Sequence, residues 1–288
     1  MNFYLPDFCD PFNLNRIIVE LWEKEPEKFY DGVEIKAVYG SFYGAIWNGG
    51  RLKPGISDRE RIKSSLAYFN EKGIPCRFTW TNSLLEEKHL NDTYCNLIMN
   101  EGNNGLNEAI VNMKLLEDNI REAYPKYKII SSTTKCILDI DEFNEELKKD
   151  YKLVVLDYRN NNNYEFLEKI EDKGRVEIVL NEICSPDCKV RKEHFDYHSK
   201  MQLNYETLNS YDWECNDGSE GFYKSFKNRS FVKLEDLQRL KEMGFKHFKI
   251  QGRYGNPAEV LENYVYYMIK PEYRDEVRLD TIMQIWNP

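Results

Sequence analysis

Residues 152–181, KLVVLDYRNNNNYEFLEKIEDKGRVEIVLN, decide the fold. Two nearly continuous apolar runs, 152–157 and 176–181, flank a segment whose apolar residues recur at helical spacing over 164–172. A strand apolar on both faces belongs in a parallel sheet covered by helices, and strand–helix–strand is the unit that builds such a sheet. Working outward, further runs rich in β-branched and aromatic residues fall at 2–6, 33–39, 75–80, 108–113, 128–132 and 247–251. Helical periodicity lies between most of them: 59–72 places Ile62, Leu66 and Phe69 on one face, and 141–149 behaves likewise. Ser57 and either Asp139 or Asp141 stand where helix N-caps are needed, and Gly73 and Gly174 where helices end.

Eight strands alternating with helices in 288 residues fit a single (β/α)8 barrel, a TIM-like α/β fold whose usual length is about 250 residues. The expectation is one domain over 1–288, with an insertion at about 201–229 before the last strand and a less regular tail at 272–288 packed on the barrel. A doubly wound open sheet is the alternative. No Pro/Gly/Ser linker divides the chain and no repeat of fixed period occurs; the Asn tract at 160–163 reads as a solvated loop.

The chain carries 40 Lys+Arg against 49 Asp+Glu, a net charge of -9, so a counterion-driven nucleic-acid binder is disfavoured. The first residues lack the basic and apolar regions of a signal peptide, and no run approaches a membrane span, so a cytoplasmic protein is expected. In that setting the seven cysteines, at 9, 76, 95, 136, 184, 188 and 215, read as thiols or metal ligands before disulfides.

In a (β/α)8 barrel the site lies at the C-terminal ends of the strands. Those ends hold Asp7, Ser41, Thr79, Thr81, Asn112, Ser132, Lys135, Asp157, Arg159, Asn181, Glu182, Gln251 and Arg253. Charged residues abutting apolar strands suit a polar or anionic ligand. Arg159 and Arg253, with Asn181 and Asn112, are the expected substrate-binding residues. Lys135 would bind an anionic substrate group beside them and is a catalytic candidate with Glu182 and Asp157, either of which would handle protons, since nearby cations and burial tune a carboxylate.

Ser185-Pro186 reads as the N-cap and first position of a helix running from 186 to about 200. Cys188 would then fall in its first turn with Cys184 just ahead, where the positive helix end favours thiolate, the form that binds a soft metal. Cys215, in a polar stretch, supplies a third sulfur. Cys136 is the best fourth ligand for zinc or an iron–sulfur cluster, followed by His194 and His198, which lie four apart on the same helix. A Glu after the first His, as in H-E-x-x-H, is missing, so metalloprotease logic does not apply. Neither a G-x-S-x-G elbow nor a glycine-rich phosphate loop occurs.

The residues Asn181-Glu182-x-Cys184-x3-Cys188-x2-Arg191, and the run from Val232 through Gly244 to Lys249-Ile250-Gln251-Gly252-Arg253, resemble the collagenase-like peptidase family U32 over about the last 110 residues. The resemblance implies a TIM-like barrel, and either peptidase activity or iron–sulfur-dependent hydroxylation. It would make Cys184, Cys188 and Cys215 cluster ligands and match Arg253 to the family's Gly-Arg pair. The sequence departs from the family in its Cys-x3-Cys spacing, in the absence of cysteine after Tyr39-Gly40, and in Gln251 where Glu is usual.

Three functions follow as expectations. The first is a barrel enzyme with a cysteine-held metal or iron–sulfur centre, acting on a small polar or peptide substrate. The second is a metal-free hydrolase using Glu182 and a histidine. The third is a non-catalytic subunit that binds a protein partner through 201–229, presenting Tyr211, Trp213 and Tyr223.

Overall fold

In a computed structural model, which describes residues 1–9, 12–206, 222–252 and 256–286, the eight strands close into a parallel barrel in sequence order. They are β1 (Asn2–Pro6), β2 (Glu34–Gly40), β3 (Cys76–Trp80), β4 (Glu108–Val111), β5 (Lys128–Ser131), β6 (Leu153–Val155), β7 (Val176–Val179) and β8 (His247–Lys249), with β8 pairing back onto β1. Each lies within, or at most one residue beyond, the run expected from the sequence. The helices are α1 (Phe12–Lys24), α2 (Arg59–Glu71), α3 (Glu87–Leu90), α4 (Thr93–Glu101), α5 (Lys114–Ala123), α6 (Ile140–Lys148), α7 (Tyr164–Glu168), α8 (Arg191–Leu203), α9 (Phe222–Ser225), α10 (Leu234–Glu242), α11 (Pro257–Met268) and α12 (Arg274–Trp286). No helix among the described residues is long and apolar enough to cross a membrane.

Local chemistry accounts for most boundaries. Asp139 caps α6, its carboxylate accepting from the amides of Asp141 and Glu142 at 3.0 Å. Gly73, at φ +72°, takes the left-handed turn after α2 that a side chain would resist. Three expectations are corrected. Asp58, not Ser57, caps α2 through the Arg61 amide, because the Ser57 hydroxyl is taken by the amide of Tyr43. α7 stops at Glu168, and Gly174 lies in a short 3-10 turn before β7. The supposed tail contains the regular helix α12, which packs on α1 and α11 through buried Val277 and is anchored by Arg278–Glu262 (2.8 Å) and Lys28–Glu276 (2.8 Å). Its inward face is narrow, so its apolar spacing alone did not reveal it.

Two cores result from the period-two alternation of the strands. The outward residues, among them Phe3, Val38, Phe78, Ala109, Val154, Ile178 and Phe248, join the helices in one large cluster. The inward residues Tyr4, Ala37, Tyr39, Ile110, Ile130, Leu153, Val155 and Val179 form a second, inside the barrel.

The barrel interior also contains charge. Arg77 on β3 is fully enclosed; its Nε meets Glu108 Oε2 on β4 and its Nη1 meets Glu177 Oε2 on β7, each at 2.5 Å. Its guanidinium lies 3.7 Å from the centre of the Tyr4 ring. Lys152 pairs with Glu108, and Lys249 Nζ stands 3.5 Å from Glu177 Oε1. His247 completes the floor, between the Tyr4 hydroxyl (2.5 Å) and the Gly174 carbonyl (3.1 Å), and burial lowers its pKa to about 4, so it is neutral at physiological pH. Since β3 and β7 face each other across eight strands, Arg77 is a strut through the barrel.

Removing Arg77 takes the closest partner from two buried carboxylates, leaving Glu108 with Lys152 and Glu177 with the more distant Lys249. Arg77→Met is therefore expected to destabilise the protein by about 3–5 kcal/mol in urea unfolding. A loss under about 1 kcal/mol would show that the strut carries no weight.

Candidate functional site

Above this charged floor, at the C-terminal ends of the strands, is a cavity of about 110 Å³. Its lower wall is Tyr39, Ile110, Val179 and Lys249 from the barrel interior. Its flanks are hydroxyls and amides at strand ends: Ser41, Thr79, Thr81, Ser132, Thr133, Thr134 and Gln251. Its roof comes from two segments outside the barrel, residues 48–53 and α8.

The first segment belongs to the long β2–α2 connection, which has no helix or strand and is held by specific bonds. Asn48 accepts from the Thr79 hydroxyl at 2.9 Å, and the Gly50 amide donates to Thr81 Oγ1 at 2.9 Å. Gly49 runs so close to the β3 end that a Cβ there would lie 2.4 Å from Asn82 Cα, so glycine is required. This path brings Arg51 and Lys53 to the cavity. Arg51 donates to the Gly252 carbonyl at 2.7 Å, and Lys53 pairs with Asp7. Asp7 adopts a left-handed conformation, φ +59°, which turns the chain at the end of β1 and lets its carboxylate also accept from the Cys9 amide.

α8 reaches across from the β7 side and docks on the β2 and β3 loops. Gln202 is buried; its Oε1 accepts from the Lys53 amide (2.8 Å) and its Nε2 donates to the carbonyls of Ala45 (3.1 Å) and Lys53 (3.2 Å). Asn82 donates to the Ser199 carbonyl at 3.1 Å. From this helix Arg191 and Phe195 enter the cavity lining. Arg191 is 3% exposed, lies over the rings of Tyr158 (4.7 Å) and Phe195 (4.5 Å), and pairs with Glu182 Oε2 at 3.2 Å.

Of the strand-end residues expected at the mouth, Asp7, Ser41, Thr79, Thr81, Ser132, Gln251 and Glu182 line the cavity, Glu182 being the one expected to act in catalysis. Its Oε1 accepts from the amides of Ile183 and Cys184, both at 3.0 Å, so the carboxylate is fixed by backbone and by Arg191. Asp157 and Arg159 bind each other through two 2.8 Å contacts and do not line the cavity. Asn181 stitches the ends of β7 and β8 by exchanging hydrogen bonds with Gln251. Asn112 is half-buried away from the lining. Lys135 faces the barrel exterior, where it contacts Glu146 (2.6 Å) and the Tyr151 hydroxyl (3.1 Å). Burial would raise the Glu146 pKa, but Lys135, Lys149 and the Ser131 hydroxyl together hold it at about 2. Arg253 lies outside the described residues.

The thiols do not stand as expected from spacing. Ser185 and Pro186 open a single turn, with the Ser185 carbonyl accepting from the Cys188 amide at 3.1 Å, and α8 begins only at Arg191. The Ser185 hydroxyl accepts from the Asp187 amide at 3.2 Å, so the cap chemistry is present but closes one turn only. Cys188 consequently gains nothing from a helix end; burial, and next the neighbouring Cys184, push its pKa up. Cys136 lies beside Asp157 and Arg159, and burial raises its pKa to about 11. Cys215, Tyr211 and Trp213 lie outside the described residues; Tyr223 is exposed. His194 and His198 meet each other, Nε2 to Nε2, at 3.2 Å, away from the cavity lining. Among the described residues no group of three or more His, Cys, Asp or Glu side chains is placed to hold a metal ion. The described donor set is thus two adjacent thiols, which does not fit a four-ligand centre by itself.

Sequence reasoning passed over Arg51, Lys53, Arg191 and Lys249 as site residues. Lys249 had a signal: a charged residue inside an expected strand, between the apolar Phe248 and Ile250. Arg51 and Lys53 had none, because tertiary docking of an irregular loop brings them to the mouth.

The fold and its polar mouth define a TIM-like barrel with a closed-over cationic cavity. No protein-family model matches the chain and no curated protein matches it. Among solved structures it resembles that of the U32 peptidase Mk0906, with a TM-score of 0.54 and 12% identity, over 87% of this chain and 92% of that one. At this identity the likeness is one of fold, and it agrees with the family resemblance seen in the C-terminal motifs.

The roof depends on Gln202. In Gln202→Ala, amide exchange at Lys53 is expected to quicken about tenfold, the equivalent of one lost hydrogen bond. Unchanged protection at Lys53 would mean that α8 does not hold the loop.

Proposed function

We propose that the protein is a U32-like barrel enzyme whose mouth takes a small substrate carrying an anionic group, such as a carboxylate. One observation carries this reading: Arg51, Lys53, Arg191 and Lys249 converge on one cavity that holds only Asp7 and Glu182 as opposing carboxylates among the described residues. In a chain of net charge -9, such a local excess of cations is a site property rather than a reflection of composition. The cavity is largely buried, where charge-assisted hydrogen bonds are stronger than in water.

In this reading Arg191 is the chief anion donor, oriented by Glu182 and by its seat over Tyr158 and Phe195. Glu182 is a positioning residue first, and takes part in proton transfer only when the substrate displaces Arg191. The hydroxyls of Ser41, Thr79 and Thr134 supply neutral donors and acceptors for the rest of the molecule. Asp157 and Arg159, bound to each other beside Cys188, brace the wall from which Glu182 projects. A peptide offers the anionic group as its C-terminal carboxylate, which keeps peptidase chemistry within the substrate class.

A second reading is favoured by the adjacency of Cys184 and Cys188 beside Glu182. Here a metal or iron–sulfur centre draws further ligands from outside the described residues, Cys215 among them.

Calorimetric titration with short carboxylates and dipeptides tests the first reading. Binding is expected, weakened at least tenfold in Arg191→Gln and in Arg51→Gln and reduced by salt. Absence of binding, or affinity indifferent to both substitutions, would overturn it. Iron and sulfide in protein purified without oxygen, lost in Cys184→Ala, would establish the second reading.

A further inference from the structure

We infer that Lys249 is an imine-forming lysine, whose amine condenses with the carbonyl group of a short carbonyl compound that also bears a carboxylate. The inference rests on the reading of the mouth as a site for a small anionic substrate, and adds the reacting atom and the substrate class.

The geometry favours this residue over the other lysine of the cavity. Lys53 is committed to Asp7 and lies 4.9 Å from the centre of the Tyr43 ring, at the roof. Lys249 rises from the floor. Its Nζ stands 3.9 Å from the centre of the Tyr39 ring, and its nearest carboxylate oxygen, on Glu177, is at 3.5 Å, the outer limit of a hydrogen bond. Glu177 in turn is engaged more closely by Arg77, at 2.5 Å. The amine therefore lies against an aromatic face, in a cavity that Ile110 and Val179 also line, with a carboxylate already shared.

Such a setting favours the neutral amine, the only form that attacks a carbonyl. Burial is the main cause; Arg77 and Arg51 reinforce it, Glu177 opposes it, and the outcome is a Lys249 pKa of about 8. An ordinary lysine remains charged to about pH 10.4. Arg51, whose charge acts on Lys249, lines the same cavity and is the natural partner for the carboxylate of a compound whose carbonyl sits on Nζ.

The step balances without oxidant or reductant. The nitrogen lone pair forms a C–N bond to the carbonyl carbon, and the displaced C=O pair takes a proton on oxygen. The nitrogen passes one proton to that oxygen, the carbon–oxygen bond breaks with its pair leaving on the water formed, and the nitrogen lone pair closes a protonated imine. That imine withdraws electrons from the adjacent bond, so the reaction class is C–H or C–C cleavage next to the original carbonyl.

The test uses the full chain with glyoxylate, pyruvate and succinic semialdehyde, each trapped with borohydride and followed by intact mass and peptide mapping. The expected result is a single reduced adduct on the peptide containing Lys249, formed with a pH midpoint near 8 and absent in Lys249→Arg. Adducts from none of the three compounds, or only on other lysines and equally in Lys249→Arg, would overturn the inference. Propionate, which has the carboxylate without the carbonyl, separates the two levels. Propionate bound with no adduct overturns the imine step and leaves the anion site standing; neither binding nor adduct removes both. Because mapping on the wild-type protein is decisive, the inference does not depend on the variant folding.

Discussion

A guanidinium sealed inside the barrel is the constraint on which the rest of the structure depends. Arg77 has no water to turn to, so its position is set by Glu108 and Glu177, and through them β3 is tied to β4 and to β7 on the far side. A parallel barrel can fill its interior with layers of branched apolar side chains. This one replaces part of the filling with an ionic strut, and burying those charges is tolerable only because each finds a close partner. The same strut reaches upward into chemistry. By holding Glu177, Arg77 leaves Lys249 with a carboxylate already neutralised, and by its own charge it discourages a second cation nearby.

The cavity above is made by closure from outside the barrel. Strand ends supply hydroxyls and amides, but of the four cations among the described residues two come from the β2–α2 loop and one from α8. Gln202 joins these two segments, and Gly49 permits the loop to pass against Asn82. Roof and floor thus have separate origins: the floor is fixed by strand register, and the roof by hydrogen bonds between an irregular loop and a helix inserted after β7.

The barrel was legible in the sequence because buried parallel strands need apolar residues on both faces, and runs such as 152–157 and 176–181 announce themselves. The site was legible only where it coincides with strand ends, as at Glu182 and Gln251. Lys135 and Arg159 occupy the expected strand ends yet turn to Glu146 and Asp157, since a side chain's direction depends on neighbours that spacing does not reveal. The start of α8 was misplaced because Ser185-Pro186 has the chemistry of a cap and does cap, but only a single turn that ends before Arg191. The charges within strands, Arg77, Glu108, Glu177 and Lys249, were present in the expected runs; their meaning depended on seeing that they point to one another.

Above the strut lies a cationic cavity, and the proposal stands or falls on its taking an anion. The most direct measurement is the pKa of the Lys249 amine by NMR of isotopically labelled lysine, with and without a saturating short carboxylate. A value near 8 is expected in the free protein, with an upward shift on binding, because an anion in the cavity favours the ammonium. A value in the ordinary lysine range, unmoved by carboxylate, would contradict it.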